Sequence, residues 1–169
     1  MGSGKSTVGP ILANTIGFEF IDLDQLIEKK EGKKIGEIFA QEGEMKFRES
    51  ERVMLREILT SKSTVVSLGG GTVTNAETLD LIKKNGIMVY LKSDADHIYK
   101  RLRTKSDRPM LRDDSGNLLD GDDLMDKIQK LLDTRSPFYE QADIVIPTDD
   151  KKIGYTIDEL AKKLSHYVE

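Results

Sequence analysis

Short β-like runs alternate with amphipathic helical stretches along this chain, and that alternation limits the folds open to it. "FEFID", "TVVSL", "IMVYL" and "DIVIP" are rich in β-branched and apolar residues and are bounded by turn formers, as buried strands are. Between them, apolar residues recur at helical spacing, notably over residues 45–61, and a last helix is expected over 157–167. The pattern predicts an α/β fold with a parallel sheet covered by helices on both faces.

Composition narrows the class of protein further. The 169 residues suit one domain over 1–169 with one core. The absence of cysteine excludes a disulfide framework and thiol catalysis, and it fits a cytoplasmic location. A net charge of −4 argues against general nucleic-acid binding, and no apolar run reaches the length of a membrane span. We expect a cytoplasmic monomer that binds neither nucleic acid nor membrane.

The opening stretch "MGSGKST" matches the second half of a phosphate-binding loop, G-x-x-x-x-G-K-[ST]. Gly2 and Gly4 would let backbone N–H groups face phosphate oxygens, Lys5 would add a positive charge, and the Ser6 hydroxyl would reach a magnesium ion. The helix that follows would point its positive end at the same anion. The first glycine of the pattern would fall two positions before Met1. A flexible, glycine-rich tail is the alternative interpretation.

Two carboxylates and three glycines each follow a predicted strand. Asp22 and Asp24 are two residues apart in "FIDLDQLIE", so we expect both on one face at the carboxyl end of a strand, able to hold a metal and orient a hydroxyl. The alternative is that such an aspartate caps the next helix. In "SLGGGTV", Gly69, Gly70 and Gly71 would allow a backbone to approach a ligand closely, unless the segment is merely a floppy loop.

Arginines suited to gripping carboxylate or phosphate occur in three further stretches. "MKFRESE" places Arg48 and Glu51 three apart on a helix, which by itself could be an ordinary surface pair. "DRPML" carries Arg108 within the polar segment 104–123, whose length is typical of a lid or of a disordered segment. "TRSPFYEQAD" carries Arg135 on a late helix. The histidines lack the spacing of a metal or catalytic pair and are interpreted as surface or packing residues.

Six stretches of this chain resemble the shikimate kinase family, and together they cover nearly the whole chain. In order they are "GSGKSTVG", "FIDLDQLIE", "IFAQEGEMKFRESE", "SLGGGTV", "RPML" and "TRSPFYEQAD". The resemblance implies a nucleoside-monophosphate-kinase-like fold, in which three αβα layers surround a five-stranded parallel sheet and carry a mobile lid. It also implies that ATP phosphorylates the 3-hydroxyl of shikimate. In the family the strand before the phosphate loop lies between those formed here by "TVVSL" and "IMVYL". We expect residues upstream of Met1 to supply it and to make the protein more stable and more active.

The resemblance also assigns roles to individual residues. Asp24 would bind the shikimate hydroxyls and accept a proton, and Glu51 would hold Arg48 in place. Arg108 would swing over the transferring phosphoryl group, and Arg101 would lie near the adenine. The implied shikimate contacts are Asp24, Arg48, Gly69, Gly70, Gly71 and Arg135. The implied ATP contacts are Gly2, Ser3, Gly4, Lys5, Ser6, Thr7, Arg101 and Arg108. Mg²⁺ would lie near Ser6 and Asp22, and the implied catalytic residues are Lys5, Asp24 and Arg108.

Two other functions stay open from the sequence. A small-molecule kinase of the same fold, such as a gluconate kinase, would keep the phosphate loop and lid but would have no obvious need of both Arg48 and the three glycines. A relative that binds a partner or shikimate without catalysis is the other possibility, because the phosphate loop is incomplete in this numbering.

Overall fold

The computed structural model describes residues 2–103, 117 and 119–167. Helices and strands alternate along the described chain, as the sequence predicts. The helices are α1 (Lys5–Ile16), α2 (Leu23–Glu31), α3 (Ile35–Ile58), α4 (Ala76–Asn85), α5 (Ala95–Leu102), α6 (Gly121–Tyr139) and α7 (Ile153–Leu164). The strands are β1 (Glu19–Asp22), β2 (Thr64–Ser67), β3 (Val89–Lys92) and β4 (Ile144–Pro147), and a short 3-10 helix covers Thr72–Thr74.

The four predicted strands are confirmed, and they form two parallel pairs. β1 pairs with β2 from Glu19 opposite Thr64 onward, and β3 pairs with β4 from Val89 opposite Ile144 onward. Within the described residues, β2 and β3 do not pair with each other. This is the position at which the family resemblance places one further strand. Parallel strands joined by helices confirm the predicted α/β class.

Helices cover both faces of the strands because neighbouring side chains on a strand point to opposite faces. Val66 of β2 packs against a core cluster built mainly by α2, α3 and α4, with Leu23 and Ile27 fully buried. The adjacent Val65 packs against a second cluster built by α1, α7 and strands β3 and β4. The second cluster therefore links the two strand pairs through one helical layer. The described helices include none long and apolar enough to cross a membrane.

Two helix starts were predicted too late. α3 begins at Ile35 rather than residue 45, because its buried face already includes Ile38 and the Glu37 carboxylate accepts a hydrogen bond from the Lys34 N–H at 2.7 Å. Gly43 then interrupts α3 with φ 83° and ψ 169°, so the helix has two halves. α7 begins at Ile153 rather than residue 157, because the Lys152 carbonyl already accepts hydrogen bonds from the N–H groups of Tyr155 and Thr156.

The predicted lid segment is only partly described. Residues 121–123 belong to the first turn of α6, so the polar segment ends earlier than the sequence indicated. Residues 104–116 and 118 lie outside the described residues, and Arg108 is among them.

Candidate active site

A cavity of about 1550 Å³ lies where β1 and β2 end and α1 begins. Pockets for one small ligand usually enclose about 300–1,000 Å³, so this cavity has room for more than one. Every predicted site residue within the described chain lines it. These residues are Gly2, Ser3, Gly4, Lys5, Ser6, Thr7, Asp22, Asp24, Arg48, Gly69, Gly70, Gly71, Arg101 and Arg135.

The phosphate loop, residues 2–7, forms one wall of the cavity. Gly4 precedes α1, and its carbonyl accepts hydrogen bonds from the N–H groups of Thr7 and Val8 at 3.0 and 2.9 Å. The positive end of this twelve-residue helix therefore faces the cavity. Arg101 of α5 donates a hydrogen bond to the Gly2 carbonyl at 3.2 Å. A helix N-terminus flanked by Lys5 and Arg101 is suited to bind a polyphosphate.

The prediction that Asp22 and Asp24 project together from the end of a strand was wrong. β1 ends at Asp22, whose carboxylate caps α2 by accepting a hydrogen bond from the Gln25 N–H at 3.2 Å. Asp24 lies in the first turn of α2, because the chain turns directly from strand into helix. The alternative that one aspartate caps a helix is therefore confirmed for Asp22. Both residues still line the cavity, and Oδ1 of Asp24 is buried.

Arg48 is held by two carboxylates of its own helix. Its Nη1 donates to Glu51 at 2.9 Å, and its Nη2 and Nε donate to Glu44 at 3.1 and 3.3 Å. The Glu51 side chain is only 4 % exposed, so this is not a solvated surface pair. Burial works to lower the pKa of Arg48, but hydrogen bonds and charges from Glu51 and Glu44 outweigh it, and the pKa lies above its ordinary value. The guanidinium is a fixed cation at the cavity wall.

The three glycines form a second wall, which we call the glycine loop (residues 69–71). The Thr72 hydroxyl, just after the loop, donates to the buried Glu51 at 2.6 Å, so the same carboxylate holds both Arg48 and the loop's end. A Cβ atom on Gly71 would lie 2.5 Å from Nη2 of Arg48 and 3.0 Å from its Cζ. Only a glycine lets the guanidinium lie against the backbone here.

We expect Gly71→Ala to raise the KM for the ligand that Arg48 binds by roughly tenfold, since small misplacements of binding groups carry large penalties. The backbone of Gly71 (φ −99°, ψ −8°) is open to alanine, so the effect would come from the contact with Arg48. Steady-state kinetics with both substrates would measure it. Gly86→Ala is the matched control, because its Cβ would lie 3.9 Å from the nearest atom. If the Gly71→Ala enzyme has the same KM values as the wild type, the Arg48 side chain adjusts freely to the added methyl group.

The start of α3 also contributes to the site, and the sequence did not predict this. Lys34, Ile35, Gly36, Glu37 and Phe39 all line the cavity, and Lys34 forms an ion pair with Glu28 at 2.8 Å. A lysine-rich stretch is typical of a solvated face, and the Lys34 side chain is 78 % exposed. Its position at the cavity follows from the turn between α2 and α3, which no local pattern indicates.

His97 is more than a surface residue, because it links two segments near the phosphate loop. Its Nδ1 lies 2.8 Å from Asp94, the cap of α5, and its Nε2 lies 3.2 Å from Asp150, which follows β4. Asp149 lies 3.9 Å from Nδ1, forms an ion pair with Arg101 at 3.3 Å and accepts a hydrogen bond from Ser93. The hydrogen bond with Asp94, followed by that with Asp150, raises the pKa of His97.

This cluster predicts a dependence of stability on pH. A histidine whose pKa is raised on folding stabilises the folded state fully at pH values below its pKa in the unfolded chain, which is about 6.5. This stabilisation is lost as the pH rises through the pKa of the folded state. We expect His97→Gln to lower the melting temperature more at about pH 5.5 than at about pH 8.5, a window in which carboxylates such as Asp94 stay ionised. His166→Gln, at the other histidine, is the control. If His97→Gln lowers the melting temperature equally at both pH values, the charge of His97 adds nothing to the stability of the fold.

Taken together, the parallel α/β fold, the phosphate loop and the convergent carboxylate and arginines define a kinase of the P-loop class with a second, anionic substrate. Comparison with known proteins identifies the kinase family. The family model for shikimate kinase matches residues 1–165. The chain is 47 % identical over 167 residues to a shikimate kinase of Chlorobium chlorochromatii, covering 99 % of this chain and 88 % of that protein.

Solved structures agree. A shikimate kinase from Acinetobacter baumannii, in complex with shikimate, is 33 % identical with a TM-score of 0.88, covering 99 % of this chain and 89 % of that one. A shikimate kinase from Bacteroides thetaiotaomicron is 35 % identical with a TM-score of 0.89, covering 98 % and 94 %. The chain belongs to the shikimate kinase family, and its reaction is the ATP-dependent phosphorylation of shikimate.

The gluconate kinase alternative is not favoured. A gluconokinase from Sinorhizobium meliloti is 17 % identical to the chain with a TM-score of 0.53, which is a likeness of fold alone. Its identity and TM-score are well below those of the shikimate kinases. The relatives also give no support to a non-catalytic function, since they are named as kinases.

Proposed function

We propose that the cavity holds ATP at the phosphate loop and shikimate between Arg48, Arg135 and the glycine loop, with the 3-hydroxyl as the phosphoryl acceptor. The observation that carries this proposal is that one cavity joins the loop at the start of α1 to Arg48, Arg135 and Asp24. A cavity of about 1550 Å³ has room for the two substrates side by side.

The shikimate carboxylate is assigned to Arg48 and Arg135. Arginine presents donors in a planar fork that matches the two oxygens of a carboxylate. N–H groups of Gly70 and Gly71 supply further hydrogen bonds from the loop. Because Glu51 and Glu44 already hold the Arg48 guanidinium, little ordering is left for binding to accomplish.

Asp24 is assigned to the acceptor hydroxyl. In the reaction the hydroxyl oxygen forms a bond to the γ-phosphorus, the bond from that phosphorus to the bridging oxygen of ADP breaks, and the hydroxyl proton passes to the Asp24 carboxylate. Lys5 and the N–H groups of residues 2–7 balance the charge on the phosphates, which is the main requirement of phosphoryl transfer. Arg101 is assigned to the adenine side, and Arg108 to the transferring phosphoryl group.

A magnesium ion is assigned to Ser6 and Asp22. A hydroxyl and a carboxylate are hard oxygen donors of the kind that magnesium prefers, and both side chains line the cavity. When bound, the ion would neutralise phosphate charge. We further propose that residues 1–169 form one domain whose lid lies within 104–120, before α6 begins at Gly121. We also propose that the protein is a cytoplasmic monomer that binds neither nucleic acid nor membrane.

The direct test is the release of ADP with shikimate or gluconate as acceptor. We expect ADP release that increases with shikimate and not with gluconate, together with a product phosphorylated at the 3-hydroxyl as read by phosphorus–proton NMR coupling. Shikimate-independent ATP hydrolysis is the background to subtract. Turnover with gluconate, or phosphate on another hydroxyl, would contradict the proposal.

A further inference from the structure

Tyr139 joins two parts of the cavity wall although it does not line the cavity itself. Its hydroxyl donates a hydrogen bond to the carbonyl oxygen of Gly70 at 2.5 Å. Tyr139 also lies four residues after Arg135 on α6, so the two side chains share one face of the helix. Arg135 lines the cavity one helical turn before Tyr139. The phenol oxygen therefore joins the glycine loop to the turn of α6 that carries Arg135.

The ring of Tyr139 is fixed where it lies. It packs against the core cluster of α2, α3 and α4, and the ring of Tyr90 on β3 lies 5.1 Å away between centroids. Burial raises the pKa of Tyr139 above its ordinary value, although the charge of Arg135 opposes the shift. The hydroxyl therefore stays protonated at neutral pH and remains able to donate to the Gly70 carbonyl.

We propose that Tyr139 is a positioning residue that sets the distance between the glycine loop and Arg135, so that one substrate carboxylate can meet both. The inference rests on the proposed function, which assigns the carboxylate to these groups. Hydrogen bonds need donor and acceptor atoms within about 2.7–3.2 Å, so the loop and the guanidinium must keep a fixed separation to contact the same anion. The hydroxyl of Tyr139 binds the loop, and the helix that carries Tyr139 also carries Arg135 one turn earlier.

Removal of this hydroxyl in Tyr139→Phe, in the full chain, tests the proposal. The ring and its packing are kept. We expect the KM for shikimate to rise about three- to tenfold, the range that one hydrogen bond between neutral groups supports, while kcat and the KM for ATP stay unchanged. KM does not depend on the amount of folded enzyme, so partial unfolding would not imitate this result.

Tyr90→Phe is the matched control, because it removes a hydroxyl from the same ring pair without touching Gly70 or Arg135, and its KM values should not change. In an Arg135→Lys background, adding Tyr139→Phe should raise the KM for shikimate by a smaller factor than it does in the wild type, since the two residues act together.

The role of Tyr139 would be overturned by an unchanged KM for shikimate beside an active wild type, or by a Tyr139→Phe chain that does not fold, which would make the hydroxyl structural. Equal factors in the two backgrounds would also overturn it. A wild type that shows no shikimate-dependent turnover would instead count against the proposed function.

Discussion

Asp24→Asn is expected to lower kcat by a factor of about 100 or more, the contribution typical of a general base, while the KM for ATP stays nearly unchanged. Asparagine has the size of aspartate and can still hydrogen-bond a hydroxyl, but it cannot take up the proton. The position is well defined, because Oδ1 is buried and lies where a Cβ on Gly69 would approach it to 3.0 Å. Initial rates with both substrates saturating would measure the loss.

Asp80→Asn is the control for this change, since Asp80 is exposed on α4, away from the cavity lining. A binding measurement for shikimate should accompany the rates, because a variant that binds shikimate normally and turns over slowly has lost a step after binding. A kcat close to that of the wild type would show that Asp24 only orients the hydroxyl or supports the start of α2.

Arg48→Lys is expected to raise the KM for shikimate by roughly 10- to 100-fold, which corresponds to about 1.5–3 kcal/mol for a hydrogen bond to a charged group. Lysine keeps the positive charge but cannot present two parallel donors to a carboxylate. It would also lose the double contact with Glu44 and the separate contact with Glu51. The KM for ATP should change little, because the phosphate loop is formed by other residues.

Arg52→Lys provides the matched comparison for this variant, because Arg52 lies one turn further along α3 and is exposed. Shikimate binding by calorimetry, without nucleotide, would separate substrate affinity from catalysis. If the Arg48→Lys enzyme saturates with shikimate as the wild type does, Arg48 is not a carboxylate ligand.

The fold was predictable because its strands are marked locally. Each of the four apolar runs became a strand, since β-branched residues flanked by turn formers carry their own signal. Lys5, Asp24 and the glycine loop could likewise be named as site residues, because phosphate loops and strand ends have recognisable sequences. Arg48 was assigned through the family resemblance, since by itself it could be an ordinary surface pair. Their meeting in one cavity then follows from parallel strands whose carboxyl ends lie together.

The parts that the sequence did not predict depend on contacts between distant segments. Tyr139 lies 69 residues from the glycine whose carbonyl it contacts, and His97 lies 53 residues from Asp150. No helical or strand periodicity encodes such pairs. The position of Asp24 was misjudged for a different reason: residues 22 and 24 fit a strand end and a helix start equally well, and the hydrogen bond that decides between them forms only once α2 is in place.

Gly43 shows how a residue can constrain a site without contacting it. A Cβ placed there would meet no atom within 4 Å, so steric crowding would not explain an intolerance to substitution. Its φ of 83° and ψ of 169° nevertheless belong to a backbone region that is essentially reserved for glycine. The break at Gly43 sets the angle between the two halves of α3. The first half follows Lys34 and carries Phe39, and the second half carries Arg48. Substitution of this half-buried glycine would therefore alter the shape of the substrate pocket, although a new side chain would meet no neighbouring atom. A survey of single substitutions along the chain should find position 43 as intolerant as the binding residues themselves.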